Sequence, residues 1–544
     1  MEFLNRGMNR EQNGSPRSLE SAKVSLGNLN ILGTAERSQQ FMECGPKNTS
    51  SDEPLDASYC SLPIVNPELN QWIQITPLEK MIEIEYDVLI VGSGAGGGAV
   101  LWRLADQWGN NGKKIGVVEA GDLFLPTHAM NLPTINYQQN SSLVTNKFGF
   151  YGEELPELPG AMSKIVFGGA TLFWSNLTPR MANSELLRWP ISLQEMNYYY
   201  SAAEAIMNVN TNISKGSPIS EIMLGRLRQH GYYKATHRPM SLNLEPTQYG
   251  VTNSNVFFSS IIFFAYAMNR RPVDLSVNTR AVKVLTDHGR IVGIEVVSQD
   301  KKSHRIRAKK VVLSASTLET PRILLHSGVT GRSIGHYLTD HGAVIAQGTV
   351  GRGVFPEVLG ALSIVVPEEE GTPFQVDIRR NDKYYLYKYD MQPVLKEIPI
   401  NFHAYCKLES HFDNYLTLDP DRKDEYGVPK IRVHFSYSET DQRVIRQTIA
   451  GVKNVVNATG VSLTSEVCRH VPGRERHYVG TCRIGQDSST AAANPYGEIF
   501  GVSGLFIADN SMLPSMSAAN PTLTTIALSI RTADHIIRQF QNND

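Results

Sequence analysis

The chain has 544 residues, 41% of them hydrophobic and 28 of them proline, enough to bury a large core split between two or three lobes and too many for a small adaptor module. Lys and Arg total 52 against 53 Asp and Glu, a net charge of −1, so no basic field draws nucleic acid or an anionic membrane and the expected partner is a small molecule. Five cysteines, Cys44, Cys60, Cys406, Cys468 and Cys482, are odd in number and lack C-x-x-C spacing, which argues against a disulfide framework or a zinc site; free thiols in a reducing compartment are expected, and no metal.

Residues 1 to about 55 are rich in Asn, Ser, Gln, Glu and Gly with no sustained period, the composition of a disordered tail. The first ten residues carry no apolar signal core, and no later run reaches the length of a membrane span, so the expected location is the cytoplasm. Gln71–Pro77 reads as a lead-in strand or bracing arm. The core begins near Ile82, and Tyr86–Ala99 then delivers an apolar strand through a glycine turn into a helix. In Gly92-x-Gly94-x-x-Gly97 the first glycine permits the sharp turn, the second lets the backbone approach a pyrophosphate, and the third lets helix pack on strand, with the helix N-terminus aimed at the phosphates. Lys113–Gly121 supplies a second strand ending on Glu119, 22 positions after Gly97, where an acid suits the ribose hydroxyls of an adenosine half. A nicotinamide dehydrogenase is compatible with these residues alone.

A long loop-like region runs to Gly160, followed by the compact segment Gly168–Arg180. Ser192 is placed to cap a helix, with Glu195 three residues on. Strands are expected at Val273–Val277, Ala281–Leu285 and Arg290–Val297, the last two joined by a turn at Asp287-His-Gly289, and a buried strand at Lys309–Ala315 feeds a helix near Thr320-Pro321. From about 346 to 464 alternating segments such as Tyr384–Tyr389 and Ile431–Ser436 predict an antiparallel sheet on which a substrate can lie. Gly501–Asn510 reads as one more strand ending on an acid, before an apolar helix.

The C-terminal segments carry a resemblance. His477-Tyr-Val-Gly-Thr-Cys-Arg483, with Asn520 before the last helix, resembles the catalytic motif of the glucose-methanol-choline (GMC) family of FAD-dependent alcohol oxidoreductases. The likeness runs from about residue 84 onward and includes Ser314–Arg322 and Gly335–His341, which look like structural motifs of the family. Gly168-Gly-Ala-Thr-Leu-Phe-Trp174 followed by Thr178-Pro-Arg180 is similar to the branch containing pyranose oxidase and the paromamine-type aminoglycoside 6′-oxidases.

The resemblance implies a Rossmann-like α/β FAD-binding domain interleaved with an antiparallel-sheet substrate domain. The tail occupies 1–55, the FAD domain 82–215, 268–345 and 465–544, and the substrate domain 216–267 and 346–464. His477 is then the base that takes the alcohol proton as hydride leaves carbon, and Asn520 the donor to the developing alkoxide. Gly92, Gly94, Gly97, Glu119, Gly168, Gly169, Thr171, Asp509, Pro521 and Thr522 hold FAD, the last two where a helix dipole favours negative charge on the reduced ring. Fungal enzymes of that branch attach FAD through a histidine; here Phe173 stands there, so FAD is expected to be non-covalent, with Phe173 on the flavin ring or lining the pocket. The implied reaction is oxidation of an alcohol on a sugar-like small molecule, in particular the 6′-hydroxymethyl of a paromamine-like aminoglycoside, with electrons passing to O2 or another acceptor. A pyranose or polyol dehydrogenase and a non-redox FAD-containing lyase are the alternatives. Asp377, Glu409 and Asp413 are candidate partners for substrate amines, with surface exposure the simpler expectation for each.

Overall fold

The computed structural model describes residues 72–132, 134–135, 137–245, 256–356, 359–380 and 396–542. Those from 74 to 244 and from 256 onward belong to one compact unit, whereas 1–73 and 245–252 group separately and fall almost wholly outside the described range. The tail expected over 1–55 and the strand expected at Tyr384–Tyr389 therefore lie outside the described residues.

In chain order the first half contains β1 (Glu85–Val91), α1 (Ala95–Trp108), β2 (Ile115–Val118), α2 (Tyr137–Phe148), α3 (Leu193–Met207), α4 (Pro218–Gln229), α5 (Ile261–Arg270), β3 (Asp274–Ser276), β4 (Arg280–Asp287), β5 (Arg290–Val297), β6 (Ser303–Leu313) and α6 (Glu319–His326). β7 (Gly342–Gly351), β8 (Ser363–Val366), β9 (Phe374–Arg380), β10 (Glu397–Cys406), β11 (Tyr415–Lys423), β12 (Pro429–His434), α7 (Glu439–Thr459), β13 (Leu505–Ile507) and α8 (Thr522–Gln541) follow.

The first sheet has the order β3-β2-β1-β6-β5-β4, with β13 also against β6. β3, β2, β1, β6 and β13 run parallel, while β4 and β5 form an antiparallel hairpin on its edge. Strands buried on both faces need continuous apolar runs, and Val88–Val91 and Ile115–Val118 supply them. α1 packs against α5 and α8. The turn at His288-Gly289 has two residues with positive φ, +44° and +74°, the twist a two-residue hairpin requires.

The second sheet is antiparallel, with the order Ser462–Leu463, β7, β10, β9, β8, Thr236–His237; Cys468–Arg469 also pairs with β7. Strand alternation splits its residues between two faces. Phe374, Val376 and Ile378 of β9 and Ile398, Ile400 and Phe402 of β10 join a core with Val452 and Val455 of α7 and Leu224 of α4. Gln375 and Tyr405 are paired in register and belong to the opposite face.

Four details differ from the sequence reading. The expected loop to Gly160 contains α2, whose polar run Gln138–Ser142 hides its period. Ile431–Ser436 does contribute a strand, but β12 pairs only with β11 as a separate hairpin. α5 packs on α1 rather than on the second sheet, and that sheet begins at Gly342 and takes in Cys468–Arg469. Of the two readings of Gln71–Pro77, the described residues take the bracing arm: Thr76 braces the sheet edge through its N–H to Leu275 O (2.7 Å) and its hydroxyl to Asp274 (3.0 Å).

Candidate active site

The turn between β1 and α1 fits a dinucleotide by what a Cβ would meet. At Gly92, φ +98°, it would lie 2.4 Å from Ser314 O, and at Gly97 2.0 Å from Gly92 O, so both positions are closed by backbone. At Gly94 it would meet nothing within 4 Å. That open space belongs to a long cavity lined by Gly92, Gly94, Gly96, Glu119, Gly169, Thr171, His477, Asp509, Pro521 and Thr522, with the first turn of α1 at its edge. The residues present therefore fit a dinucleotide, with room for the pyrophosphate where Gly94 lacks a side chain. Gly96, which the motif leaves free, is closed hardest: a Cβ there would sit 1.6 Å from Ala508 O.

Glu119 directly follows β2, nearly fully buried, and accepts from Ser93 N–H (3.0 Å), Ser93 hydroxyl (2.6 Å) and Gly121 N–H (2.8 Å). Burial raises its carboxyl above the usual range and these bonds oppose the rise. Ser93 Oγ also accepts from Gly168 N–H (2.8 Å), tying the two glycine loops together. Gly168 itself is not on the cavity wall; with φ +89° it opens the turn that Thr171 closes by donating to Gly168 O (2.6 Å). Asp509, after β13, accepts from Ser316 N–H (3.0 Å), Thr320 hydroxyl (2.5 Å), Ser511 N–H (2.8 Å) and Ser511 hydroxyl (2.5 Å). It thereby holds Ser316 in a left-handed conformation, φ +84°, against the cavity. Ser93 and Ser316 carry no signal in a single sequence.

Phe173 neither lines the cavity nor faces it as expected. Its ring packs 6.1 Å from Phe124 and 5.6 Å from Phe148, and the next residue, Trp174, lines the cavity. Of the three acids weighed as amine partners, Asp377 is fully buried and ion-paired at 2.8 Å with the equally buried Arg238. Glu409 accepts from Ser438 hydroxyl at 3.1 Å, and Asp413 is exposed.

His477 and Asn520 come together across 43 positions: Asn520 Nδ2 lies 3.3 Å from His477 Nε2. Asn520 Oδ1 accepts from Gln375 Nε2 at 2.8 Å. His477 Nδ1 lies 2.9 Å from His341 Nδ1, and His341 Nε2 lies 2.8 Å from Ser517 O. Asp340 Oδ1 accepts the N–H groups of both His341 and His477 at 2.9 Å, and burial, then the charge of Glu475, pushes its carboxyl up to about 8. Burial, then His341, holds His477 well below the usual imidazole range. Burial would raise Glu475, but His403 (2.8 Å) and His470 (2.5 Å) hold it well below. The sequence located His477 and Asn520. It placed His341 in a structural motif only and gave no sign of Gln375, which alternation alone sets beside Tyr405.

A glycine-cradled dinucleotide cavity with a histidine on its wall, and an amide 3.3 Å from that histidine, defines a nucleotide-dependent oxidoreductase site. GMC oxidoreductase family models match residues 162–343 and 410–529, together more than half of the chain, and the chain belongs to the GMC oxidoreductases, FAD-binding enzymes that oxidise alcohol groups. A C-glycoside 3-oxidase of Arthrobacter globiformis is 26% identical over 73% of this chain and 78% of its own length. The paromamine 6′-oxidase of Streptomyces fradiae is 22% identical over 82% and 90%. A solved structure of formate oxidase from Aspergillus oryzae shares the fold, with a TM-score of 0.62, 16% identity and coverage of 84% of this chain and 99% of that one. No helix of the described residues is long and apolar enough to cross a membrane.

Proposed function

We propose that this enzyme oxidises a ring hydroxyl of a neutral glycoside to a ketone, with His477 as base and Asn520 as hydrogen-bond donor. The observation that carries the chemistry is the His477–Asn520 pair, 3.3 Å apart, with His477 on the wall of the dinucleotide cavity. Non-covalently bound FAD supplies the acceptor for the two electrons leaving the carbon. His477, held neutral by desolvation and by the neighbouring His341, takes the hydroxyl proton at Nε2. The Asn520 N–H aimed at the same point stabilises the oxygen as negative charge develops, without competing for the proton. Gly94, Glu119, Thr171, Asp509, Pro521 and Thr522 hold the cofactor from the cavity wall.

Charge supports the neutral glycoside over an aminosugar. Lys164 and Arg476 line the same cavity, and neither has a carboxylate partner among the described residues: Arg476 meets Met162 Sδ at 3.7 Å, and Lys164 lies over the Phe173 ring at 5.7 Å. Burial, then Arg476, pushes the Lys164 amine down to about 7. A polyamine entering beside Arg476 meets repulsion, to which the partly neutral Lys164 adds little. The C-glycoside 3-oxidase likeness points to the ring hydroxyl, and the paromamine 6′-oxidase likeness keeps the primary 6′-hydroxyl of an aminoglycoside as the second reading.

Anaerobic bleaching of the flavin by neutral glycosides, polyols and paromamine-type aminoglycosides, with the product identified as ketone or aldehyde, tests this. Neutral glycosides giving a ketone are expected. An aldehyde from the aminoglycoside arm alone transfers the assignment to the second reading, and flavin that no alcohol bleaches overturns alcohol oxidation in favour of lyase chemistry.

A further inference from the structure

We infer that His341 and Gln375 are positioning residues that fix the proton of His477 on Nδ1 and the N–H edge of Asn520 toward Nε2. The inference rests on the reading of His477 as the base. Its starting point is Ser517 O, a carbonyl that can only accept, 2.8 Å from His341 Nε2. His341 Nε2 must therefore carry hydrogen. A neutral imidazole has a single N–H, so His341 presents a lone pair at Nδ1 to His477 Nδ1, 2.9 Å away. Two lone pairs do not bond, so His477 supplies the proton at Nδ1 and its Nε2 is left bare.

The other end of the chain agrees independently. Gln375 Nε2 donates to Asn520 Oδ1 at 2.8 Å, which turns the Asn520 amide nitrogen toward His477 Nε2 at 3.3 Å. A donor there requires the lone pair that the His341 end has already assigned. Reversing Asn520 would set its oxygen against the bare Nε2 of His477, and reversing Gln375 would set its oxygen against Asn520 Oδ1. The polarity thus runs unbroken from Ser517 through His341, His477 and Asn520 to Gln375. His341 and Gln375 are each 2% exposed and Asn520 5%, so water does not stand in for a missing partner.

Without this chain the imidazole is free to carry its proton on Nε2, where it would offer an alcohol a donor and could not remove its proton. The groups around His341 leave it neutral: His477, Tyr405 at 5.6 Å between ring centroids, Glu475 and His403, with Asp340 on its backbone N–H. Burial, outweighing these neighbours, pushes His341 down to about 4.

The test compares anaerobic flavin bleaching and 15N-histidine spectra of holoenzyme for the wild type, His477→Ala, His341→Leu and His341→Gln. Glutamine is the discriminating variant, because its oxygen can accept from His477 Nδ1 while its amide donates to Ser517. His341→Leu should slow bleaching by about 100-fold or more, the scale on which loss of a base or its tautomer acts, and should move the His477 signal from the Nδ1–H to the Nε2–H form. His341→Gln should recover most of that loss and keep the Nδ1–H signal. On an Asn520→Ala background, Gln375→Leu should have no further effect. If His477→Ala bleaches as fast as wild type, the base reading fails. If His477→Ala is slow while His341→Leu matches wild type, or His341→Gln is as slow as His341→Leu with FAD bound, the positioning role alone is overturned.

Discussion

Gly94 and Gly96 stand two positions apart and predict opposite failures. Gly94→Ala adds a methyl to open space where FAD must pass, so the protein should fold at wild-type yield yet lose its yellow colour. Gly96→Ala drives the methyl into Ala508 O and should abolish soluble expression with or without added FAD. Absorbance of bound flavin and thermal unfolding of each variant separate the outcomes. At the chemical centre, His477→Ala should retain FAD and slow bleaching on the order of 100- to 10,000-fold, and Asn520→Ala by less. Acid precipitation should release the flavin, since Phe173 offers no atom for a covalent link and its ring lies among Phe124 and Phe148. The glycine motif and Glu119 were legible because a dinucleotide demands those residue types at that spacing, and His477 and Asn520 through the resemblance of their segments to the family's motif. His341, Gln375, Ser93 and Ser316 were not: their roles exist only after distant segments meet, and a serine or glutamine alone specifies no partner.

α7 shows what an element carries in its own sequence. Ser438 Oγ accepts from Asp441 N–H at 3.0 Å and Asp441 returns the bond to Ser438 N–H, also at 3.0 Å, while Gly460 ends the helix at φ +72°. Ser438→Ala should cost about 1 kcal/mol, read as a lower urea midpoint with unchanged slope. α3 carries half of the same device, because Ser192 caps Glu195 N–H but the Glu195 carboxylate turns to Arg531 (2.8 Å). Sequence reading found the α3 start, the His288-Gly289 turn and the parallel strands because each depends on neighbours in the chain. It missed the independence of the β11–β12 hairpin, which is a question of pairing: an alternating strand says which face it buries and not which strand it meets.

Acid response belongs to the whole molecule, since it compares folded with unfolded chains. Buried His341 stays neutral to about pH 4, while in the unfolded chain it takes a proton near its ordinary value of 6.5. Between those values the unfolded state binds more protons, so this residue makes stability fall as pH drops from about 6.5 to 4 and contributes a constant amount above that window. His341→Gln removes the term. Across this window the variant should therefore lose less stability than the wild type, by roughly 1–3 kcal/mol, measured as urea midpoints at pH 7 and pH 4.5. Parallel losses in the two proteins would place the proton elsewhere.

The cavity wall draws on residues 91–96, 118–120, 162–166, 169–171, 174, 279–281, 314–319, 323, 476–478, 509–510, 521–522 and 525, and β13 completes the sheet beside β6. No FAD can therefore be held until the segment carrying Asp509, Pro521 and Thr522 has been made, although the glycine turn that faces it precedes it by about 400 residues. The nascent protein has to keep the Val311–Leu313 end of β6 unpaired on one edge, as an exposed template for wrong strands, until Leu505–Ile507 arrives. Cofactor supply in the cell then acts on the last step of assembly, and a shortage should appear as complete but colourless chains.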